Sequence, residues 1–482
     1  MAKFNASSIG TNTTVNKSGA MAYKMPEKTE LVNAVLTSFF GENKFYGSTN
    51  NRIVNLATKL VDESPEFVAN LTLFARKEFN LRSVSHVLTA IMAHSIPGKR
   101  LTRDLVNRVV VRADDITEIL SAYISLYSKP IPNSLKKGLN DALLRQNEYS
   151  LAKYKGSTKT LKMRDVPRIT HPLPKTPEQS ELLRKLIADE LETPYTWETE
   201  LSAKGNTKEI WEELIDSGKV GYMAILRNLR NIIKAGVSKN HLDKVLTKIA
   251  NPEEVKKSKQ LPFRFFAAYK ELKGMPGTTS KITNSLESAI SSAIVNMPAL
   301  SGTTAICIDV SGSMTSRCLN KSDITCGEIA ALLGIMLSQT CEDSITLAFD
   351  TSAKKITLSN TGGILSQMSK ISMLGGGTDI TASIRYLTDN NIKVDRIVML
   401  SDNEMNHWGY RSAQSYLDKY RKNVNNNCYV HAVDMQGYGT QQFIGKDVNL
   451  VAGWSEKIIE FVSLVEAGTA GLVSKIDTYH YE

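Results

Sequence analysis

The chain has 482 residues, 42% of them apolar and 22% charged, with a formal net charge of +10. That length supports two to four domains with real cores, and the balance is globular rather than disordered. No run approaches the roughly 18 to 20 apolar residues that span a bilayer, and the Ser/Thr/Asn-rich residues 1–28 hold no apolar stretch of secretory type, which argues against membrane and secretion and for the cytoplasm.

The charge is unevenly placed. Residues 1–300 carry 44 Lys/Arg against 30 Asp/Glu, net +14, whereas 301–482 carry 15 against 19, net −4. An excess of that size in one region suits nucleic acid or an anionic surface. The five cysteines, Cys307, Cys318, Cys326, Cys341 and Cys428, form no Cys-x-x-Cys pair, a pattern expected of free thiols in a reducing compartment.

In chain order, residues 1–28 are expected to be a flexible segment, and 30–292 read as successive amphipathic helices. Ser64-Pro65-Glu66-Phe67 places a cap-type Ser before a Pro at the first helical position, after which Phe67, Val68, Leu71 and Phe74 recur at helical spacing. Leu182, Leu183, Leu186, Ile187 and Leu191 repeat the pattern, as do Met223, Leu226, Leu229, Ile232 and Ile233. Helix after helix without strand signals, and without a clean repeat, predicts a stacked solenoid or ring. Within it, residues 151–175 carry Lys153, Lys155, Lys159, Lys162, Arg164, Arg168 and Lys175 against the single acid Asp165, a local charge of +6, interleaved with Tyr154 and His171. Such a mixture suits phosphate neutralisation beside unpaired bases, although a solvated loop between helices has the same composition.

Near residue 300 the periodicity changes. Short β-compatible runs at 304–308, 344–349, 396–400 and 428–433 alternate with helical stretches at 324–339, 380–387, 412–422 and 456–465, which predicts a mostly parallel, doubly wound sheet with its ligand site at the carboxyl ends of the strands. The first run passes into Asp309-Val310-Ser311-Gly312-Ser313-Met314, a carboxylate followed at alternate positions by two hydroxyls. Thr378, after a Gly-Gly-Gly turn, and Asp402, closing the third run, add oxygen donors at strand ends. Hard oxygen ligands of this kind suit Mg²⁺ or Mn²⁺, whereas zinc would want His or Cys. A haloacid dehalogenase loop needs a second Asp where Ser311 stands, and a hydrolase nucleophile elbow needs Gly where Asp309 stands, so neither catalytic reading fits. A nuclease is disfavoured because this metal loop lies in the acidic region, away from the basic segment.

The ordered set Asp309, Ser311, Ser313, Thr378 and Asp402 on alternating strands resembles the von Willebrand factor A domain and its metal-ion-dependent adhesion site. That resemblance implies one bound divalent cation with a coordination position left for a partner, hence binding rather than catalysis. Leu151-Ala152-Lys153-Tyr154-Lys155, Met163-Arg164-Asp165 and Thr170-His171-Pro172 resemble the RNA-contacting stretch of the TROVE domain of the Ro autoantigen family. Phe39-Phe40-Gly41, the run from Gly221 to Asn231, and Leu261-Pro262-Phe263-Arg264-Phe265 agree with it.

The two resemblances together imply a multidomain chain: a flexible segment 1–28, an all-α HEAT-like helical ring over 29–298, and an α/β doubly wound von Willebrand factor A domain over 299–482. They also imply an RNA-binding protein of noncoding-RNA quality control, not an enzyme. It would take single-stranded 3′ ends of misfolded RNA in a central hole and a small Y-like RNA outside, using Lys153, Lys155, Lys159, Lys162, Arg164, Arg168 and His171. A monomeric ring and association with an exoribonuclease follow from the same resemblance. Pro167 departs from the pattern, which expects an uninterrupted helix before the His. The alternative is a metal-dependent protein-binding module on a helical scaffold without RNA.

Overall fold

The computed structural model describes residues 13–15, 21–23, 26–36, 52–155, 161–318, 323–359, 361–373, 375–402, 412–436, 442–445, 447–452, 457–467 and 471–479. By its contacts the chain divides into two compact units, Glu27–Thr199 with Gly468–Glu482, and Glu200–Ala467 with Met1–Pro26. Among the described residues no helix is long and apolar enough to cross a membrane. Within 1–28, expected to be a flexible segment, β1 (Thr13–Val15) pairs antiparallel with β2 (Met21–Tyr23), and a helix begins at Glu27.

Among its described residues the first unit holds helices and no strand. Helix Pro65–Lys77 starts as its sequence dictates, with Ser64 at the cap position and Pro65 at the first turn, although the Ser64 side chain makes no capping hydrogen bond. Its stripe Phe67, Val68, Leu71 and Phe74 is buried, each such side chain contributing roughly 1.5–3 kcal/mol. The helices Lys99–Val109 and Asn133–Leu144 cross at Gly138, where a β-carbon would stand 2.8 Å from that of Val106.

Helix Pro177–Ala188 buries Leu183 and Leu186 but leaves Ile187 at 38% exposure, against expectation, because the chain turns left-handed at Asp189 (φ 63°) and the apolar stripe stops. At the heart of this unit the fully buried Asp115 accepts hydrogen bonds from Arg76 (3.1 Å), Arg82 (3.0 Å), the Val111 N–H (3.0 Å) and the Arg112 N–H (2.9 Å), with His86 Nε2 also 3.0 Å away. Burial alone would raise the Asp115 pKa. The His86 hydrogen bond and the neighbouring positive charge outweigh it and hold the carboxyl well below its usual range.

The described residues at the C-terminus belong to this unit too, although the sequence groups them with the α/β domain. Helix Gly471–Asp477 buries Leu472 and Ile476, and the ring of Tyr479 meets Phe74 edge-on at 5.2 Å while its hydroxyl donates to Glu78 at 2.7 Å. Asp477 pairs with Lys28 at 3.1 Å, and the Asn70 side chain donates to the Asp477 carbonyl.

In the second unit, helices from Lys208–Asp216 to Ser280–Ala293 lead into a six-stranded sheet. Its strands are β3 (Leu300–Asp309), β4 (Cys341–Phe349), β5 (Ala353–Ile356), β6 (Arg396–Ser401), β7 (Tyr429–Asp434) and β8 (Val448–Ala452), ordered β5-β4-β3-β6-β7-β8. All neighbours pair parallel except β5, which is antiparallel to β4. Helices Thr381–Asp389 and Ala413–Asn423 cover the face carrying Cys307, Leu347 and Met399. Helix Cys326–Thr340 covers the other, where Gly334 lets it approach Ile308. The helices before the sheet are fastened to helices that flank it: Glu287 of Ser280–Ala293 accepts the Leu365 N–H at 3.1 Å, at the start of helix Ile364–Met368, and Lys270 of helix Pro262–Leu272 pairs with Glu328 at 2.6 Å.

The thiol expectation needs correction. Cys318 and Cys326 are disulfide-bonded: the antiparallel bridge between Arg317 and Thr325 stands beside them, and their Cα atoms are 5.1 Å apart. Cys307, Cys341 and Cys428 are free and buried.

Candidate metal centre and nucleic-acid interface

The sheet's winding reverses at β3, which is followed by β4 on one side and flanked by β6 on the other. Asp309 ends β3 and Asp402 follows β6, so both acids stand at the carboxyl ends of adjacent parallel strands, where open α/β sheets hold ligands. Asp309 is fully buried, and its two oxygens accept from neutral donors: the Ser311 N–H at 2.9 Å and the Ser401 hydroxyl at 2.6 Å. Ser311 Oγ and Ser313 Oγ lie 3.2 Å apart.

The loop bearing Thr378 is tied to the first loop by backbone bonds, from the Gly312 N–H to the Gly376 carbonyl (3.2 Å) and from the Gly375 N–H to the Val310 carbonyl (3.3 Å). Gly375 and Gly376 sit at φ 77° and 94°, a region that glycine enters without strain. Thr378 and Asp402 are 3% and 2% exposed. All five predicted residues thus meet at one end of the sheet.

Burial pushes the Asp309 carboxyl up to about 6; its serine hydrogen bonds oppose this, and the charge of Asp402 adds to it. Asp379, beside Thr378, plays a different part: Arg385 pairs with it at 2.8 Å, and it accepts the Thr381 N–H at 3.0 Å at the start of the following helix. Ser401 was missed by the sequence reading, although its place one residue before Asp402 was the available signal. Among the described residues no group of three or more His, Cys, Asp or Glu is placed so that it could hold a metal ion. Two buried carboxylates with hydroxyls form a hard oxygen donor set, and such a set fits Mg²⁺ or Mn²⁺.

The basic segment lies in the first unit. Lys153 ends helix Glu148–Lys153, its ammonium 6.0 Å from the ring centre of the exposed Tyr149 and 5.6 Å from that of Tyr154, with the Arg112 guanidinium 4.7 Å over Tyr154. Lys155 (4.0 Å) and Arg164 (3.2 Å) converge on Asp189, and together with Lys162 they line a cavity of about 70 Å³. Arg168 donates to the Ile187 carbonyl at 3.0 Å and stands 4.0 Å from Asp165. His171 is exposed in the left-handed region (φ 52°) at the end of helix Asp165–Thr170, and the Asn140 side chain holds the preceding carbonyl, that of Thr170, at 3.0 Å. Pro167 falls in the first turn of that helix, where a missing N–H costs nothing, so the departure leaves the helix intact. Lys159 lies outside the described residues. The sequence reading missed Asp189 as an internal counter-charge, and Tyr149 and Arg112 as partners of the segment.

Residues 19–191 and 188–292 match the TROVE domain, and residues 304–460 match the Ro60 vWA domain. Telomerase protein component 1 of Rattus norvegicus is 26% identical over 308 residues, covering 46% of this chain and 12% of that protein. The RNA-binding protein RO60 of Caenorhabditis elegans is 26% identical over 209 residues, covering 41% of this chain and 32% of that protein. RNA-binding protein RO60 of Deinococcus radiodurans is 26% identical over 198 residues, 38% of this chain and 37% of that protein. The matched stretches thus span at most 37% of the length of these relatives. The crystal structure of the Deinococcus radiodurans RO (RSR) protein shares the fold, with a TM-score of 0.69 at 15% identity over 94% of this chain and 99% of that one.

Proposed function

The chain belongs to the TROVE-domain family of Ro type, with a Ro60-type von Willebrand factor A domain, and from that membership we propose that it binds RNA without catalysis of its own. Its ligands are single-stranded 3′ ends of misfolded RNA and a small noncoding, Y-like RNA, in a cytoplasmic quality-control role alongside an exoribonuclease. The observation that carries the reading is that one segment sets Lys153 beside the exposed Tyr149, gathers Lys155, Lys162 and Arg164 at one cavity, and ends in Arg168 and the exposed His171 turn. Only two acids, Asp165 and Asp189, pair with these cations among the described residues, so much of the positive charge remains for phosphates.

The test compares a hairpin bearing a 3′ overhang with the same hairpin blunt-ended and with a circularised single strand, at fixed salt. The overhang should bind tightest, the circle should lose that advantage, and His171→Ala should weaken overhang binding selectively. Equal affinity for all three RNAs would refute capture by a free 3′ end.

Asp309, Ser311, Ser313, Thr378 and Asp402 would hold the divalent cation. That cation supplies a coordination position for an acidic group of a partner protein, and the buried pair Asp309 and Asp402 supports this second, metal-dependent binding role. The two roles are separable: the metal reading predicts that Asp309→Ala spares RNA affinity.

A further inference from the structure

A second cationic site lies next to the basic segment and shares only Lys175 with it. Helices Lys99–Val109, Asn133–Leu144 and Pro177–Ala188 enclose an open cleft of about 330 Å³, lined by Arg103, Asn107, Asp141, Arg145, Lys175 and Gln179 among others. Its walls are fixed. Arg103 binds both oxygens of Asp141, at 2.6 and 3.1 Å, and Asn107 donates to the same carboxylate at 3.3 Å. Gln179 spans the opening, donating to the Leu144 carbonyl (2.9 Å) and accepting the Lys175 N–H (2.7 Å).

Among the described residues Arg145 is held by neutral acceptors alone, the Asn107 side chain (3.2 Å) and the carbonyls of Asn107 (2.8 Å) and Val110 (3.0 Å). The exposed Lys175 ammonium forms no ion pair among the described residues. Three cations therefore face one carboxylate, in a cleft large enough for one nucleotide unit. Capping of helix Lys99–Val109 accounts for where Arg145 sits, since cations favour helix C-termini, but it leaves Lys175 and the open space unexplained.

We propose that this cleft is a phosphate-binding subsite for single-stranded RNA, an inference that rests on the RNA reading above. Position identifies the occupant. Lys175 closes the basic segment, and Asn140, which holds the Thr170 carbonyl just before His171, precedes Asp141 on the cleft wall. A strand leaving the His171 turn therefore reaches the cleft without crossing to another part of the unit. The cleft offers two net positive charges and no aromatic ring among its lining residues, so it takes the backbone and is indifferent to base identity.

The test is the salt dependence of binding of a fluorescent single-stranded RNA of about 20 nucleotides, long enough to reach several contacts. Lys175→Ala should lower the slope of log affinity against log salt by about 0.7 and weaken binding several-fold at low salt. Asp141→Asn, which removes the cleft's acid, should tighten binding. Lys239→Ala removes the same unit of charge from an exposed site on another helix and should leave the slope unchanged.

If wild type shows a steep slope that Lys153→Ala/Lys155→Ala flattens while Lys175→Ala and Asp141→Asn change nothing, the cleft is not a subsite and the RNA reading stands. If Lys239→Ala matches Lys175→Ala, only diffuse charge is at work and the subsite falls. A flat slope in wild type overturns both. Because Asp141→Asn is expected to strengthen binding, misfolding cannot imitate the full pattern.

Discussion

Asp309 shows what a buried carboxylate costs. Its raised pKa, caused by burial and by the charge of Asp402, means the ionised side chain opposes folding by up to about 3 kcal/mol for two pKa units, a cost that the proposed cation would offset. Asp309→Asn should therefore raise the melting temperature in EDTA, while the rise that millimolar Mg²⁺ gives wild type disappears. A Mg²⁺-induced shift of wild-type size in the variant would remove this residue from the metal site.

Glu466 is the opposite case. Burial alone would raise its pKa, but His431 at 2.8 Å and the two-pronged bond from Arg396, at 2.8 to 3.0 Å, pull it down. A carboxyl depressed in the folded state contributes stability that is present above its unfolded pKa, near 4.5, and is lost as the pH falls below that value. Glu466→Gln should cost about 3–5 kcal/mol in urea denaturation at pH 7, with a smaller difference near pH 3. A pH-independent difference would mean the charge is not what the network uses.

At this scale the gathering of Asp309, Ser311 and Ser313 at a strand end was legible because hydroxyls at alternate positions after a strand state their geometry locally. Asp189 was not, since its partners Lys155 and Arg164 lie 25 or more residues away and only the fold brings them together.

Among elements, legibility followed burial. The central strands β3, β6 and β7 are covered on both faces and read as continuous apolar runs. The edge strand β5, Ala-Lys-Lys-Ile, carries two exposed lysines that discourage pairing with a further strand and hide its identity from a pattern search. Helix Ile364–Met368 was likewise unreadable, because its first turn is satisfied by Glu287 from a distant helix rather than by a local cap. Helix crossings leave even less trace: nothing local says that Gly138 must lack a side chain. Gly138→Ala should destabilise the first unit by about 1–3 kcal/mol through the clash with Val106, and adding Val106→Ala should recover part of that loss. Additive losses in the double variant would show that the contact is not the cause.

For the molecule as a whole, sequence charge separated a basic region from an acidic one, yet the compact units do not follow that division. Two segments account for this: residues 200–300 of the basic region belong to the unit that holds the sheet, and the segment 471–479 packs with helices of the other unit near the start of the chain. Ending the chain at residue 470 should expose Phe74 and the seats of Leu472 and Ile476, so amides of helix Pro65–Lys77 should exchange with solvent faster while those of β3 and β6 do not change. Uniform protection would show the segment to be dispensable.

Lys28 and Asp477 touch across 449 residues of sequence. At roughly 5–20 residues per second, the ribosome delivers the second partner about 20 to 90 seconds after the first. During that interval the earliest helices wait with an apolar seat open to chaperones and to other nascent chains. A message truncated shortly before codon 471 would yield a protein with an intact sheet but that seat permanently bare, a difference that a cell's degradation machinery is equipped to detect.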